Sequence, residues 1–505
     1  MSGGYDDELS RPLEGAQEAS TSEGETSPAV GRDEWVARHG GNWTGRGGPL
    51  GTLEERLRLV PWWAWLTTFV ALFALVPVAS DSGYVRRVAF DITLYMLLAL
   101  GLNVVVGWGG LLDLGYIAFY GIGAYSYALL SSDHYGIHLP TIVSIPLIVV
   151  IGAIVGFLVG LPSRRLTGDY LAIITLFFLQ LFLTVATNGD DLFGNDVTGG
   201  ANGILRVDPL SILGHSLPVS SGGGLFNPAY MYVVLVVFAV VYVALRFVNL
   251  SRTGRAWRSL REDSLAAEVM GMPVNWLKLM SFAFGAAIAA LSGTFLAALS
   301  ASVFPLSFAF PLLIIIYTMV ILGGAGSQAG VVLGAVLIGV LLELLRDPGD
   351  SRVLFYTVIV LGLFAAFRFS VRLAVVLAGT LVFGVIVHSI AGAIDSGWVN
   401  GSGGEGGGVA DFFANWVIVP IDPAAWITPV SYISLVSLAL ILTLLHGWAR
   451  LALLVPVLYL AAFVWENVML SKPEPTRYIV LGVLLIALMI LRPSGLLGEK
   501  RVEII

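Results

Sequence analysis

The feature that most limits the fold of this chain is a succession of apolar runs, each close to the roughly 20 residues that span the hydrocarbon core of a bilayer. Within a bilayer every backbone polar group needs a partner inside the protein, so runs of this length predict helices. The chain is 57% hydrophobic and only 12% charged, an excess that a soluble core does not explain. About fourteen such segments occur, at about 61–79, 88–108, 111–130, 141–161, 169–188, 229–248, 276–300, 305–321, 330–345, 353–369, 371–393, 430–447, 449–470 and 477–491. The predicted fold class is an all-α polytopic membrane protein.

Composition excludes several kinds of site. The chain has no cysteine, which rules out disulfides, thiolate catalysis and cysteine-based metal or iron–sulfur sites. Its three lysines, Lys278, Lys472 and Lys500, lie outside any glycine-rich phosphate-binding motif, so we expect no ATP site in this chain. Residues 1–55 are rich in Ser, Gly, Glu and Thr and predict a disordered acidic tail. Neither end carries a basic patch suited to nucleic acid.

The distribution of Lys and Arg predicts the orientation in the membrane, because cytoplasmic loops are enriched in positive charge. If the polar segment 249–272 faces the cytoplasm, fourteen basic residues lie on that side and seven on the other. Both termini then also face the cytoplasm. We therefore expect a multi-pass protein of the cytoplasmic membrane with segment 249–272 inside.

Segment 249–272, called the charged segment below, lies between two long apolar runs. Asp263 or Ser264 can cap the start of a short helix there, and Gly271 can end it in a left-handed conformation. This predicts about two turns of helix that present small side chains and charge to another protein, at Ala266, Ala267 and Glu268. The segment also places four guanidinium groups within ten residues, at Arg252, Arg255, Arg258 and Arg261. Taken alone, the charge pattern slightly favours an ordinary solvated loop helix.

Glycines crowd two places in the apolar runs, seven of them between positions 101 and 123 and four between 323 and 330. A glycine in a membrane helix either permits close packing or marks a break, and irregular backbone at membrane depth survives only against protein or water. Two interrupted places in the two halves of a chain are typical of a translocation site. The candidate pathway residues are Asn103, Gly109, Gly110, Asp113, Gly323 and Gly324.

Three acids lie in or beside apolar runs, where a charge is costly enough to indicate function. Asp169 is interpreted as a helix-start residue at the interface, and Glu343 as the partner of an arginine three positions on. For Asp113 two alternatives stand, a pathway carboxylate or a hydrogen-bonding group at a helix start. His134 and His138 lie four residues apart in a loop without a third ligand, which favours an incidental pair over a metal site.

Five long motifs follow one another in the chain: LGLNVVVGWGGLLDLGYIAFYGIGAYSYALL (100–130), LTGDYLAIITL (166–176), GRAWRSLREDSLAAEVMGM (254–272), LGGAGSQAG (322–330) and RPSGLLGEKRVE (492–503). In length, order and spacing they resemble the permease subunit of a branched-chain amino acid ABC transporter, of the LivM type. The resemblance implies a permease core of about ten membrane helices. It also implies import of branched-chain amino acids or similar small solutes.

The same resemblance implies partners. Two separate ATPase subunits would use ATP, and a second permease subunit, LivH-like or another copy of this chain, would complete the pore. An extracytoplasmic solute-binding protein would deliver the solute, while this chain would bind no cofactor and catalyse no reaction. In such permeases the stretch matching 254–272 docks onto an ATPase, so the expected contacts are Arg255, Arg258, Glu262, Asp263, Ala266, Ala267, Glu268 and Gly271.

The chain departs from that family before its last run, where about 130 residues with about four additional crossings intervene. An even number of added crossings keeps the C-terminus inside. The expected domains are a tail (1–55), a permease core (56–350), an insert (351–475) and a last helix with its RPSGLLG tail (476–505). The alternative function is a stand-alone, ion-coupled secondary transporter with Asp113 as its carboxylate. A membrane enzyme is disfavoured because no acid, base and nucleophile cluster together.

Overall fold

The computed structural model describes most of the chain after residue 60. The ranges are 61–164, 168–191, 194–212, 215–221, 225–367, 370–399, 416–420, 426–469, 473–491 and 495–498. The predicted tail at 1–55 and parts of the terminal motif (492–494 and 499–503) lie outside the described residues. The chain divides into two units, 1–69 and 70–505. Of the first unit only 61–69 is described, and these residues are the start of a helix.

Sixteen helices are found in the described part of the chain. Those up to the charged segment are α1 (Trp62–Ala79), α2 (Gly83–Leu102), α3 (Tyr116–Leu130), α4 (Thr141–Gly160), α5 (Asp169–Thr187) and α6 (Pro228–Leu250). The charged segment holds α7 (Arg252–Glu262) and α8 (Ser264–Val269). The remaining helices are α9 (Val274–Ser300), α10 (Phe310–Gly323), α11 (Gln328–Leu344), α12 (Pro348–Phe367), α13 (Val371–Ile394), α14 (Ile427–Leu444), α15 (Gly447–Val464) and α16 (Pro473–Leu491).

The all-α polytopic fold is confirmed. Within the described ranges nine helices are long and apolar enough to cross a membrane, and α11 with α12 forms a further pair bent by 119°. Three shorter apolar helices complete the set. Each of the fourteen apolar segments seen in the sequence corresponds to one of these helices. A bend of this size marks a broken span or a re-entrant loop, and the number of candidate spans in the described ranges becomes ten if α11 and α12 form one span.

Helix α9 lies at the centre of the bundle, packed against α2, α3 and α4. Small residues permit this approach: Gly156 of α4 faces Ala286 of α9, and Gly123 of α3 lies against the backbone of Ala290. A Cβ on Gly152 would lie 2.5 Å from the Cβ of Ala290. Lipid tails are as apolar as any side chain, so contact between backbones is what holds membrane helices together. Several of the glycines therefore serve close packing.

In the described parts of the connections between helices, eight two-residue strands pair. They are β1 (Ser131–Ser132), β2 (Ile137–His138), β3 (Ile204–Leu205), β4 (Ser211–Ile212), β5 (His215–Ser216), β6 (Ser220–Ser221), β7 (Leu225–Phe226) and β8 (Ser302–Val303). The antiparallel pairs are β1–β2, β3–β8, β4–β5 and β6–β7. The β3–β8 pair ties the long 188–227 connection to the end of α9, because Ile204 is opposite Val303. This connection therefore covers the end of the bundle opposite the charged segment.

Within the insert predicted from the sequence, a buried ion pair joins α12 to the turn that follows α15. The Arg352 guanidinium binds the Glu466 carboxylate with three hydrogen bonds of 2.8 to 3.0 Å, and the Glu466 side chain is 1% exposed. Phe355 stacks on Trp465 with ring centroids 4.4 Å apart and an interplanar angle of 12°. Glu466 lies in a π-helical turn, Trp465–Met469, that continues α15. This turn therefore packs the end of α15 against α12.

Candidate functional site

The charged segment folds as two short helices that begin directly after α6. Ser251 ends α6 and caps α7, since its Oγ accepts a hydrogen bond from the backbone N–H three residues on at 3.4 Å. Arg255 donates to the carbonyl of Leu250 at 3.0 Å, and Arg258 donates to that of Asn249 at 3.2 Å. These two arginines thus stabilise the C-terminal end of α6, where carbonyl groups lack helical partners. Both remain exposed.

Helix α8 begins and ends as the sequence predicts. Asp263 caps it, because its Oδ1 accepts hydrogen bonds from the backbone N–H groups two and three residues on, at 2.8 and 3.0 Å. At the other end Gly271 has φ +79° and donates to the Glu268 carbonyl at 2.9 Å, while the next N–H donates to the Ala267 carbonyl at 3.1 Å. This pair of bonds is a Schellman ending, which glycine adopts at little cost. The predicted cap and stop are confirmed.

The surface that α8 presents differs from the expected one. Ala267 is only 2% exposed, so it points into the protein and is not presented to a partner. Leu265, Val269 and Met270 are instead 73%, 81% and 80% exposed. Sequence reasoning missed these three side chains, although apolar residues four and five positions apart on a polar helix mark an unpaired apolar face. The other expected contacts on this segment are exposed: Glu262, Asp263, Ala266, Glu268 and Gly271.

The first break in the bundle is the stretch 103–115 between α2 and α3. Helix α2 continues into a π-helical turn, Asn103–Trp108, and regular helix resumes only at Tyr116. Gly109 is buried against α9, where a Cβ would lie 3.2 Å from the Oγ of Ser281. Gly110 is exposed with φ +67°. The predicted discontinuous helix is therefore present, and most of its irregular backbone packs on protein.

The second break is the turn 323–327 between α10 and α11. Gly324 and Gly326 have φ angles of +105° and +97°, which only glycine adopts without strain. The described part of the terminal motif, 495–498, lies here: Leu496 and Leu497 donate their backbone N–H groups to the carbonyls of the last two residues of α10, at 2.8 and 3.0 Å. The C-terminal tail thus supplies partners for carbonyls that the end of a helix leaves free. The sequence did not predict this contact.

The two breaks meet each other. The Oδ1 of Asn103 accepts a hydrogen bond from the backbone N–H of Gly326 at 2.7 Å, and the indole Nε1 of Trp108 donates to the carbonyl of the same glycine at 2.9 Å. Both polar groups of the Gly326 backbone are therefore bound by side chains of the first break. Asn103 and Trp108 are almost completely buried, which makes these bonds costly to lose.

Arg261, the last arginine of the charged segment, reaches into this junction. Its Nη1 donates to the carbonyl of Gly107 at 2.6 Å and to that of Ala325 at 3.3 Å. Gly326 leaves room for the guanidinium group, because a Cβ there would collide with Nη1. A Cβ on Gly110 would lie 3.0 Å from the Cα of Arg261. Sequence reasoning placed Arg261 in the charged cluster only, since its partner carbonyls lie 154 and 64 positions away.

Helix α7 is fixed against the first break by aromatic packing. Trp257 is fully buried and stacks on Trp108, with ring centroids 6.2 Å apart and an interplanar angle of 22°. Its indole N–H donates to the carbonyl of Leu277 in α9 at 2.9 Å. Leu260, next to Arg261, is 4% exposed. The buried face of α7 is thus held on both the first break and α9.

The structure separates the candidate pathway residues into different roles. Asp113 is fully buried, and its Oδ1 accepts from the backbone N–H of Gly115 at 2.9 Å, which favours the helix-start alternative. The Tyr317 hydroxyl donates to the Asp113 carbonyl at 2.7 Å. Gly323 faces Gly330 so closely that a Cβ on either would collide with the carbonyl of the other. Gly323 therefore serves the packing of α10 on α11.

Titratable groups outside these breaks form pairs at the opposite end of the bundle. His138 Nδ1 lies 2.7 Å from Asp208 Oδ2, and this hydrogen bond raises the pKa of His138. His134 Nε2 lies 3.1 Å from the carbonyl of Asp196, so the two histidines have different partners. Glu343 binds both Arg346, at 3.5 Å, and the Tyr84 hydroxyl. Among the described residues no group of three metal-ligating side chains is found.

Known proteins resemble this chain over the region that contains both breaks. A family model described as the permease component of branched-chain amino acid transport systems matches residues 84–367. The high-affinity branched-chain amino acid transport permease LivM of Salmonella typhimurium is 38% identical over 312 residues, which cover 58% of this chain and 70% of that protein. Escherichia coli LivM is 38% identical over 285 residues, 53% of this chain and 64% of that protein.

A second group of relatives is more distant. Escherichia coli LivH, also a high-affinity branched-chain amino acid transport permease, is 26% identical over 178 residues, which cover 35% of this chain and 54% of LivH. No solved structure matches this chain. The family match ends at the end of α12, so α13, α14, α15 and α16 lie beyond it.

Proposed function

This chain belongs to the branched-chain amino acid transport permease family, whose model matches more than half of it, and we propose from this that it is the membrane-spanning subunit of an ABC importer. It is a transport component with membrane-spanning helices. We propose branched-chain amino acids or similar small solutes as the cargo, because the LivM relatives are named for them. Separate ATPase subunits would use ATP, and this chain would bind no cofactor.

The observation that carries the proposal is the surface of α8. Leu265, Val269 and Met270 are more than two-thirds exposed on a helix of six residues that projects from a polar segment. Contiguous exposed apolar side chains with a polar rim mark protein-binding sites. The charged side chains next to them in the chain, Glu262, Asp263 and Glu268, are also exposed. We therefore assign α8 to a groove on an ATPase subunit, with the apolar side chains inserted and the charges around them.

We propose the remaining partners from the family to which the chain belongs. A second permease subunit, LivH-like or another copy of this chain, would complete the pathway, and an extracytoplasmic binding protein would deliver the solute. Docking on the ATPase requires that the charged segment face the cytoplasm, which agrees with the bias of Lys and Arg in the sequence. ATP drives the cycle only if it binds more tightly to one conformation of the complex than to the other.

The test is reconstitution. The chain is purified with the ATPase, permease and binding-protein subunits encoded beside it and placed in liposomes. We expect ATP hydrolysis to rise, and the solute to accumulate, when leucine-loaded binding protein is supplied outside. Liposomes that contain this chain alone are the control. If the chain alone accumulates leucine along an ion gradient, the ion-coupled alternative is correct and the proposal fails.

A further inference from the structure

We propose that Arg261 is the positioning residue that transmits movement of α8 to both breaks of the bundle, an inference that rests on the proposed function. The guanidinium Nη1 binds one carbonyl in each break, at Gly107 and Ala325. The two carbonyls belong to different breaks, since Gly107 lies in the π-helical turn after α2 and Ala325 lies in the turn that follows α10. One nitrogen atom of the charged segment thus holds two interrupted helices together.

The position of Arg261 in the chain makes it suited to this task. It is separated only by Glu262 from Asp263, the residue that caps α8. A displacement of the exposed face of α8 is therefore transmitted to Arg261 through two residues, Asp263 and Glu262. Trp257, one turn earlier on α7, is stacked on Trp108 of the first break. These contacts leave α7 little freedom to move without displacing the backbone of the first break.

The chemistry of the junction requires an arginine. Carbonyl groups at the end of a helix carry partial negative charge and lack helical partners, so a cation with several donors stabilises them. Both Nη1 N–H groups of a planar guanidinium are available, one for each carbonyl, whereas a lysine ammonium at the end of a flexible chain does not fix their separation. The glycines at 110 and 326 complete the site, because they leave space for the backbone and the guanidinium of Arg261 respectively.

The other arginines of the segment serve as comparisons. Arg255 and Arg258 bind carbonyls at the end of the helix that immediately precedes them, at Leu250 and Asn249. Their bonds are local and cannot transmit a displacement to the breaks. Arg252 is exposed on the same helix. The proposal therefore predicts that Arg261 differs from Arg252 in its effect on coupling, although both carry the same charge.

The experiment uses the complete transporter in liposomes and measures leucine uptake and ATP hydrolysis in parallel for Arg261→Gln, Arg261→Lys and the control Arg252→Gln. We expect Arg261→Gln to retain ATPase subunits and basal hydrolysis while uptake per ATP falls roughly tenfold or more, the effect of losing a hydrogen bond to a charged group. The uptake per ATP of Arg261→Lys should lie between those of the wild type and Arg261→Gln. That of Arg252→Gln should equal the wild-type value. A merely structural role would lower both rates together and leave their ratio unchanged.

A distance measurement provides a readout that does not depend on activity. Because the chain has no cysteine, spin labels can be attached after Val236→Cys on α6 and Leu333→Cys on α11, both exposed positions. We expect ATP trapping to change the distance between these labels in the wild type and with Arg252→Gln, and not with Arg261→Gln.

The results distinguish a failure of the proposed function from a failure of the role proposed for Arg261. If the wild-type complex shows no solute-stimulated hydrolysis, the proposed function fails. If the wild type is stimulated and Arg261→Gln keeps its uptake per ATP and its ATP-dependent distance change, only the role of Arg261 is refuted. Loss of ATPase subunits in both Arg261 variants would assign the residue to assembly and also overturn the inference.

Discussion

Asn103 and Gly326 lie 223 positions apart in the chain and are joined by a hydrogen bond of 2.7 Å. The two breaks were predicted from two different glycine-rich motifs, and this bond connects them. It also provides a partner for a backbone N–H in the interior of the bundle. Gly107 is required beside it, because a Cβ there would collide with the Asn103 side chain. One amide side chain and two glycines thus form this part of the junction, beside the contacts of Trp108 and Arg261.

Replacing Asn103 by Leu should destabilise the protein by about 1–3 kcal/mol, the cost of leaving a buried donor without a partner. The donor is the Gly326 N–H. The measurement is the thermal unfolding of purified protein in detergent, followed by tryptophan fluorescence. Asn275→Leu, at an exposed position in the first turn of α9, is the matched control and should leave the unfolding temperature unchanged. Equal unfolding temperatures for Asn103→Leu and the wild type would contradict the assigned role of this bond.

Replacing Gly323 by Ala should cost about 1–3 kcal/mol, because overpacking forces two helix backbones apart. The added Cβ collides with the Gly330 carbonyl in α11. Gly482→Ala is the control, since nothing lies within 4 Å of a Cβ at that position. Unfolding temperature and leucine uptake are measured for both. If Gly323→Ala and Gly482→Ala have the same unfolding temperature and leucine uptake, the backbones of α10 and α11 are not in close contact at Gly323.

Replacing Leu265, Val269 and Met270 together by Ser should weaken ATPase association while leaving the fold intact, because these side chains are exposed within this chain. Apolar anchors at the centre of an interface often contribute about 2 kcal/mol or more each, so co-purification should be lost. Leu306→Ser is the control for an exposed apolar residue, at the opposite end of the bundle. Charge reversal at Glu262 and Glu268 should weaken association less. Undiminished co-purification of the triple variant would refute the docking surface.

Replacing Glu466 by Leu should destabilise the packing of α15 on α12 by about 3–5 kcal/mol, since it leaves the Arg352 charge buried without its partner. Replacing both residues, Arg352→Met with Glu466→Leu, should recover most of that loss. The measurement is the rate of proteolysis in the connection between α13 and α14, read by mass spectrometry. Arg87→Gln is the control, because its ion pair with Asp91 is partly exposed and contributes at most about 1 kcal/mol. A double variant as unstable as the single one would contradict this account.

The contact between His138 and Asp208 should stabilise the fold less as pH rises. The hydrogen bond that the ring of His138 donates to the Asp208 carboxylate, with additional attraction from Asp133, raises the pKa of His138 above its ordinary value of 6.5. A raised pKa in the folded state means that the contact stabilises the protein fully below pH 6.5 and is lost as pH rises through the folded pKa. The unfolding temperature of the wild type should therefore fall relative to His138→Gln over that range. A difference that does not depend on pH would show that the pair does not form.

Local features of the chain follow from the sequence because their partners are local. Runs of about 20 apolar residues predict membrane helices through backbone hydrogen bonding alone. The Asp263 cap and the Gly271 stop depend on atoms within five positions, so the boundaries of α8 were predictable. The five motifs also identified the family, and the family match bears this out.

The faces of the helices were not predictable in the same way. In a soluble helix the buried face is apolar and the exposed face is polar, but a membrane helix is apolar on both its lipid-facing and its buried sides. The sequence therefore could not show that Gly123 would meet Ala290 rather than line a pathway. The meeting of Arg261 with Gly107 and Ala325 depends on three helices that converge from distant parts of the chain. The sequence alone determined which segments cross the membrane and where the charged segment turns, since backbone chemistry fixes both. Only the tertiary structure decided which carbonyl groups Arg261 binds, because helix packing brings together atoms that the order of residues keeps apart.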